Sequence, residues 1–92
     1  MTAPVLFGRE MKPRAIDSWE LRIGCFVVSL WLACGRAWGR VYFDDVGNRM
    51  LLWVSPSGES TEAIVCAVES WFRTMMAETV GALGLELREV ES

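Results

Sequence analysis

Between Arg22 and Arg36 the chain runs thirteen residues without a charge, IGCFVVSLWLACG. Such a run has to be a membrane span, a buried helix or a core strand, and the choice fixes the rest of the fold. A spanning helix needs about 20 apolar residues, so this run is too short to cross a bilayer. A helix has two points in its favour. Asp17-Ser18-Trp19-Glu20 fits a capping box, and Gly35 suits a left-handed helix stop. Arg22, Ser29 and Arg36 would then form a thin polar stripe.

The extended reading explains more. Phe26, Val27, Val28 and Trp31 favour a pleated backbone. The next two segments, RVYFDD (40–45) and RMLLWVS (49–55), read as strands around Val46-Gly47-Asn48, where Gly47 and Asn48 tolerate the positive φ of a tight turn. A strand over 26–33 joins them through residues 34–37 as a three-stranded meander. Alternate residues then sort onto two faces. One is wholly apolar: Phe26, Val28, Leu30, Leu32, Val41, Phe43, Met50, Leu52 and Val54. The other is mixed and aromatic, with Val27, Ser29, Trp31, Trp38, Arg40, Tyr42, Arg49, Leu51, Trp53 and Ser55.

A turn cluster at 55–58 leads into the clearest element of the chain. From about Thr61 to Leu83, Ile64, Val65, Val68, Trp71, Phe72, Met75, Met76 and Val80 recur at spacings of three and four, the period of an amphipathic helix. Ser60 is the expected N-cap, and Gly84 the stop. Leu85–Val90 alternates and is expected to add an edge strand. Packing the helix stripe on the apolar sheet face makes a two-layer α+β domain over 19–92, with residues 1–18 as an N-terminal arm.

The chain has no histidine, which removes the commonest general base near neutral pH and the commonest metal ligand. No phosphate loop, dinucleotide fingerprint or nucleophile elbow occurs, and no cysteine spacing fits a zinc site. Asp44 and Asp45 are adjacent on a strand and so point to opposite faces. The expectation is a non-enzymatic protein without cofactor or metal. Cys25, Cys34 and Cys66 sit among apolar residues and are expected to be reduced core thiols. With no signal-peptide pattern at the start, this gives a cytoplasmic protein. Residues 1–50 carry seven basic and five acidic side chains, and residues 51–92 two and seven. Neither half carries the clustered Lys/Arg patch of a nucleic-acid binder.

What remains is the mixed face. Trp31, Trp38, Arg40, Tyr42, Arg49 and Trp53 are of the types that dominate binding hot spots, since they combine large area with a polar handle. Such a face calls for a cover. Three covers are expected: residues 1–24 folded back, a second copy in a homodimer, or a flat apolar or aromatic small ligand. Protein–protein contact through a homodimer is the leading expectation. A different one starts from Glu59, Glu62, Glu69, Glu78, Glu86, Glu89 and Glu91, which would suit an inhibitor or immunity-type module for a basic partner.

Overall fold

Five two-residue turns set the path of the first half of the chain. The computed structural model describes residues 3–83. In order, it holds β1 (Val5–Leu6), β2 (Arg9–Glu10), β3 (Lys12–Ala15), β4 (Ser18–Ile23), β5 (Phe26–Ala33), β6 (Arg36–Asp45), β7 (Asn48–Val54) and α1 (Thr61–Leu83). At three of the turns both central residues have positive φ: Phe7-Gly8, Cys34-Gly35 and Val46-Gly47. That is the type I′ geometry whose twist matches the flanking strands. The β6–β7 turn is therefore one residue tighter than the sequence suggests, with Asn48 already in β7.

The uncharged run is strand, not helix. It supplies the turn Gly24-Cys25 and all of β5, the central strand of a five-stranded antiparallel sheet in the order β3-β4-β5-β6-β7. The sheet is a simple meander, and α1 packs across β5 and β6 on one side of it. The fold is α+β, as the residue pattern predicts. α1 spans the expected residues, and its cap is in place: Ala63 N–H donates to Ser60 Oγ at 3.2 Å. The strand expected at Leu85–Val90 lies outside the described residues.

The core lies between α1 and one sheet face. Val28, Leu30, Ala37, Val41, Ile64 and Val68 are buried there, with Phe72 at its edge. Gly39 lets the helix approach. A Cβ at that position would stand 2.6 Å from Ile64 Cγ2 and 3.3 Å from Ser55 Oγ.

Residues 5–15, read as part of an arm, build three strands. β1 and β2 form a separate hairpin on the helix side. Leu6 and Met11 are buried in the common core, the Phe7 ring meets Phe72 edge-on at 5.8 Å, and Phe7 N–H donates to Glu69 Oε2 at 2.8 Å. β3 and β4 extend the sheet in its own plane, with Trp19 and Leu21 buried on the helix side.

The three cysteines are free and exposed, which corrects the expectation of core thiols. Cys25 and Cys34 occupy the turns at either end of β5, where the chain reverses at the surface, and Cys66 lies on the outer side of α1. No helix among the described residues is long and apolar enough to cross a membrane.

Candidate functional site

No helix or strand among the described residues covers the sheet face opposite α1. Register places the side chains in rows across the strands. Trp31 of β5 pairs with Trp38 of β6, Ser29 with Arg40, and Val27 with Tyr42, while Glu20 and Arg22 of β4 stand beside Ser29 and Val27. On β7, Arg49 stands beside Asp44 and Leu51 beside Tyr42. Five of the six residues singled out in the sequence thus share this face: Trp31, Trp38, Arg40, Tyr42 and Arg49.

Trp53 does not. Leu52 is an extra residue, since Tyr42 pairs with Leu51 and Val41 with Trp53. One inserted residue in a strand exchanges the faces of everything beyond it. Trp53 therefore lies over the core, with its ring stacked on Trp71 at 5.6 Å and 16°. Val54, assigned by simple alternation to the core, is instead beside Arg40 on the open face and half exposed, and Ser55, assigned to the mixed face, is buried beside Gly39 on the helix side.

Charged side chains cover part of the face. Arg22 Nη2 meets Asp44 Oδ2 at 2.5 Å, Arg49 reaches Asp44 at 3.5 Å and Glu20 at 3.3 Å, and Arg14 meets Glu20 at 2.6 Å. Arg49 is on β7 and Glu20 on β4. On a flat sheet those strands lie about 14 Å apart. The two long side chains span that distance between them. This network roofs Val27, which is 1% exposed although it faces away from α1. Arginine stems serve well here, since they cover apolar surface while their heads stay in water. The hydrogen bond from Arg22 holds the Asp44 carboxyl below its ordinary value of 3.8; burial pushes the other way, and the charges of Arg22 and Arg49 add to the lowering.

Beside the roof lies an open cavity of about 330 Å³, lined by Ser18, Glu20, Ser29, Trp31, Arg40 and Tyr42 among others. Arg40 stands over the Trp31 ring at 5.0 Å, and its Nη1 donates to the Tyr42 hydroxyl at 3.4 Å. Unlike Arg14, Arg22 and Arg49, it meets no carboxylate among the described residues. Trp31, Trp38 and Tyr42 are half-buried, so each ring keeps a free surface. The face carries Lys12, Arg14, Arg22, Arg36, Arg40 and Arg49 against two carboxylates, Glu20 and Asp44.

The expected self-cover by residues 1–24 is not what the chain does. The β1–β2 hairpin packs on the helix side, and β3 and β4 lie in the plane of the sheet. Of the acidic residues proposed as a second surface, Glu59 and Glu62 are exposed, while Glu69 is engaged by Phe7 N–H and by Arg73 at 3.6 Å.

The sequence reading did not find a second cavity. All four phenylalanines, Phe7, Phe26, Phe43 and Phe72, line an open apolar groove of about 750 Å³ between the end of the sheet and α1, with Met76 and Arg73 at its rim. The signal was the phenylalanine count itself, but these residues are far apart in the chain and only the fold collects them.

Compared with protein-family models, with curated proteins and with solved structures, the chain matches none.

Proposed function

We propose that this chain is a small protein-interaction module whose contact surface is the aromatic part of the open sheet face, around Trp31, Trp38, Arg40 and Val54. One observation carries the reading: among the described residues no element folds over these rings, and the N-terminal hairpin packs on the helix side. Half-buried tryptophans and an arginine held by ring and hydroxyl are suited to contact at little cost in side-chain entropy. The groups on the face favour binding over catalysis, since its carboxylates are held in ion pairs and the chain has no histidine.

A second copy is one possible partner class. Face-to-face pairing, however, sets arginine against arginine, so a copy would have to offer a different surface, and a partner of another kind fits the charge better. A photo-crosslinking side chain at Val54, with a control at exposed Ser70 on α1, tests the proposal in cells. Protein adducts from position 54, absent from position 70 and lost with Trp38→Ala, are expected. Equal adducts from both positions would reject it. Light scattering over a wide concentration range reports whether any of the contact is self-association.

The phenylalanine groove supports a second reading, a small apolar ligand, at a place other than the aromatic face. Its volume falls within the usual range for small-molecule sites. Titration with an apolar fluorophore checks this: saturable emission that Met76→Glu abolishes is expected, and non-saturating emission would reject it.

A further inference from the structure

The proposed contact face also specifies the chemistry of what it meets. We infer that the cavity beside Arg40 takes a carboxylate from an extended acidic and apolar protein segment, with Arg40 as its anchor. This rests on the protein-contact reading above.

Arg40 combines three features. It has no carboxylate partner among the described residues, its guanidinium stands over the Trp31 ring at 5.0 Å, and the Tyr42 hydroxyl accepts from its Nη1 at 3.4 Å. Arg36, also without a carboxylate, is instead held by Ser57 where β6 begins. A ring and a hydroxyl restrain the guanidinium where Arg40 lines the cavity, and its other donors meet no carboxylate among the described residues. That arrangement suits two parallel hydrogen bonds to a carboxylate or phosphate. Ser18 and Ser29 line the same cavity and supply neutral hydroxyls to the second oxygen.

The surroundings distinguish the two anions. Glu20 lines this cavity, and Asp44 stands beyond it on the same face. A continuous phosphate backbone would pass over both carboxylates, whereas a single carboxylate set on Arg40 meets only Glu20, whose charge is offset by Arg14 and Arg49 in the same cavity. On the β7 side of Arg40 lies Val54, 50% exposed, and one row along lie the half-exposed rings of Trp31 and Trp38. These take apolar side chains, so the matching segment carries an acidic residue flanked by apolar ones. With six basic side chains against Glu20 and Asp44, the open face is a cationic surface suited to an acidic partner.

The test uses the full chain and fluorescent probes of defined chemistry: a short peptide alternating glutamate and valine, the same peptide with lysine for glutamate, and an oligothymidylate. Binding is read by anisotropy against the wild type, Arg40→Gln, Arg40→Glu and Trp38→Ala, with circular dichroism to check the fold. Arg40 is exposed, so its substitution leaves the core alone. The glutamate peptide is expected to bind and the lysine peptide not. Arg40→Gln weakens the first by roughly tenfold or more, the loss of a charged hydrogen bond. Arg40→Glu reverses the preference. If both peptides bind alike and Trp38→Ala abolishes both, the contact face stands and the anchor is wrong. If the oligothymidylate binds more tightly than the glutamate peptide, the face reads phosphate and the inference is overturned. If no probe binds, the anchor again falls, and the crosslinking at Val54 decides separately whether the contact face survives.

Discussion

Gly39→Ala adds one methyl group at the closest approach of helix and sheet, and the structure fixes its consequence. The new Cβ would stand 2.6 Å from Ile64 Cγ2, where real contacts are longer by about an ångström. Ile64 cannot move aside easily. It is 1% exposed and β-branched, so its χ1 is nearly locked in a helix. Overpacking of this kind costs about 1–3 kcal/mol. Replacing glycine also restricts the unfolded chain, which offsets about 0.4–1 kcal/mol. The net is a loss of about 1–2 kcal/mol, or a melting temperature lower by roughly 5–15 °C for a domain of this size. Ile64→Leu moves the branch from Cβ to Cγ and removes the clashing methyl at a cost below about 1.5 kcal/mol. In that background Gly39→Ala should be neutral or stabilising. Thermal and urea unfolding of the four proteins gives the cycle. A single Gly39→Ala variant as stable as the wild type would refute the close approach, and equal losses in both backgrounds would refute the role of Ile64.

Three further perturbations follow from local features. Val46 is β-branched, 95% exposed and at φ 50°, so Val46→Asn places the preferred residue in a type I′ turn and should raise stability by about 0.5–1 kcal/mol in urea unfolding. Ser60→Ala removes the acceptor for Ala63 N–H and should cost about 1 kcal/mol, read by thermal melts. Because its folded pKa is lowered, Asp44 contributes stability that is present above its ordinary value of 3.8 and lost as pH falls through the lower folded value. In Asp44→Asn that part of the acid-induced loss should be missing, and denaturation curves of the two proteins below pH 4 compare it directly.

Elements whose pattern is strong over many residues were readable before the fold was known. The period of α1 and the alternation of β5 to β7 are of that kind. β4 carried its own alternation, with Trp19, Leu21 and Ile23 inward and Ser18, Glu20 and Arg22 outward. Its first residues also spelled a helix cap, and a four-residue cap motif competes with a six-residue strand on nearly equal terms. β3, Lys-Pro-Arg-Ala, is exposed throughout and has no apolar alternation to read; only its partner makes it a strand. On the face itself, each ring and arginine before the bulge was legible because parity alone places it. The ion-paired roof was not, since Arg14, Glu20, Arg22, Asp44 and Arg49 come from four strands and meet only once strand order and register are set.

The bulge at Leu52 decides which aromatic residues belong to the contact face and which to the core. Simple alternation could not find it, because Leu51, Leu52, Trp53 and Val54 are all apolar and either assignment satisfies a hydrophobic pattern. The two assignments differ in one energy. With the bulge, Trp53 and Trp71 stack, and a stacked pair contributes about 0.5–1.5 kcal/mol beyond the area it buries. Without it, Trp53 would lie across the sheet from Trp71 with nothing to share. A cycle of Trp53→Leu, Trp71→Leu and the double variant separates the cases, because distant sites add to within about 0.5 kcal/mol. A coupling near 1 kcal/mol is expected. Additive losses would return Trp53 to the open face. The same variants then serve the binding assay: Trp53→Leu should leave affinity for the glutamate peptide unchanged, whereas Trp38→Ala should reduce it, because only Trp38 shares a face with Arg40.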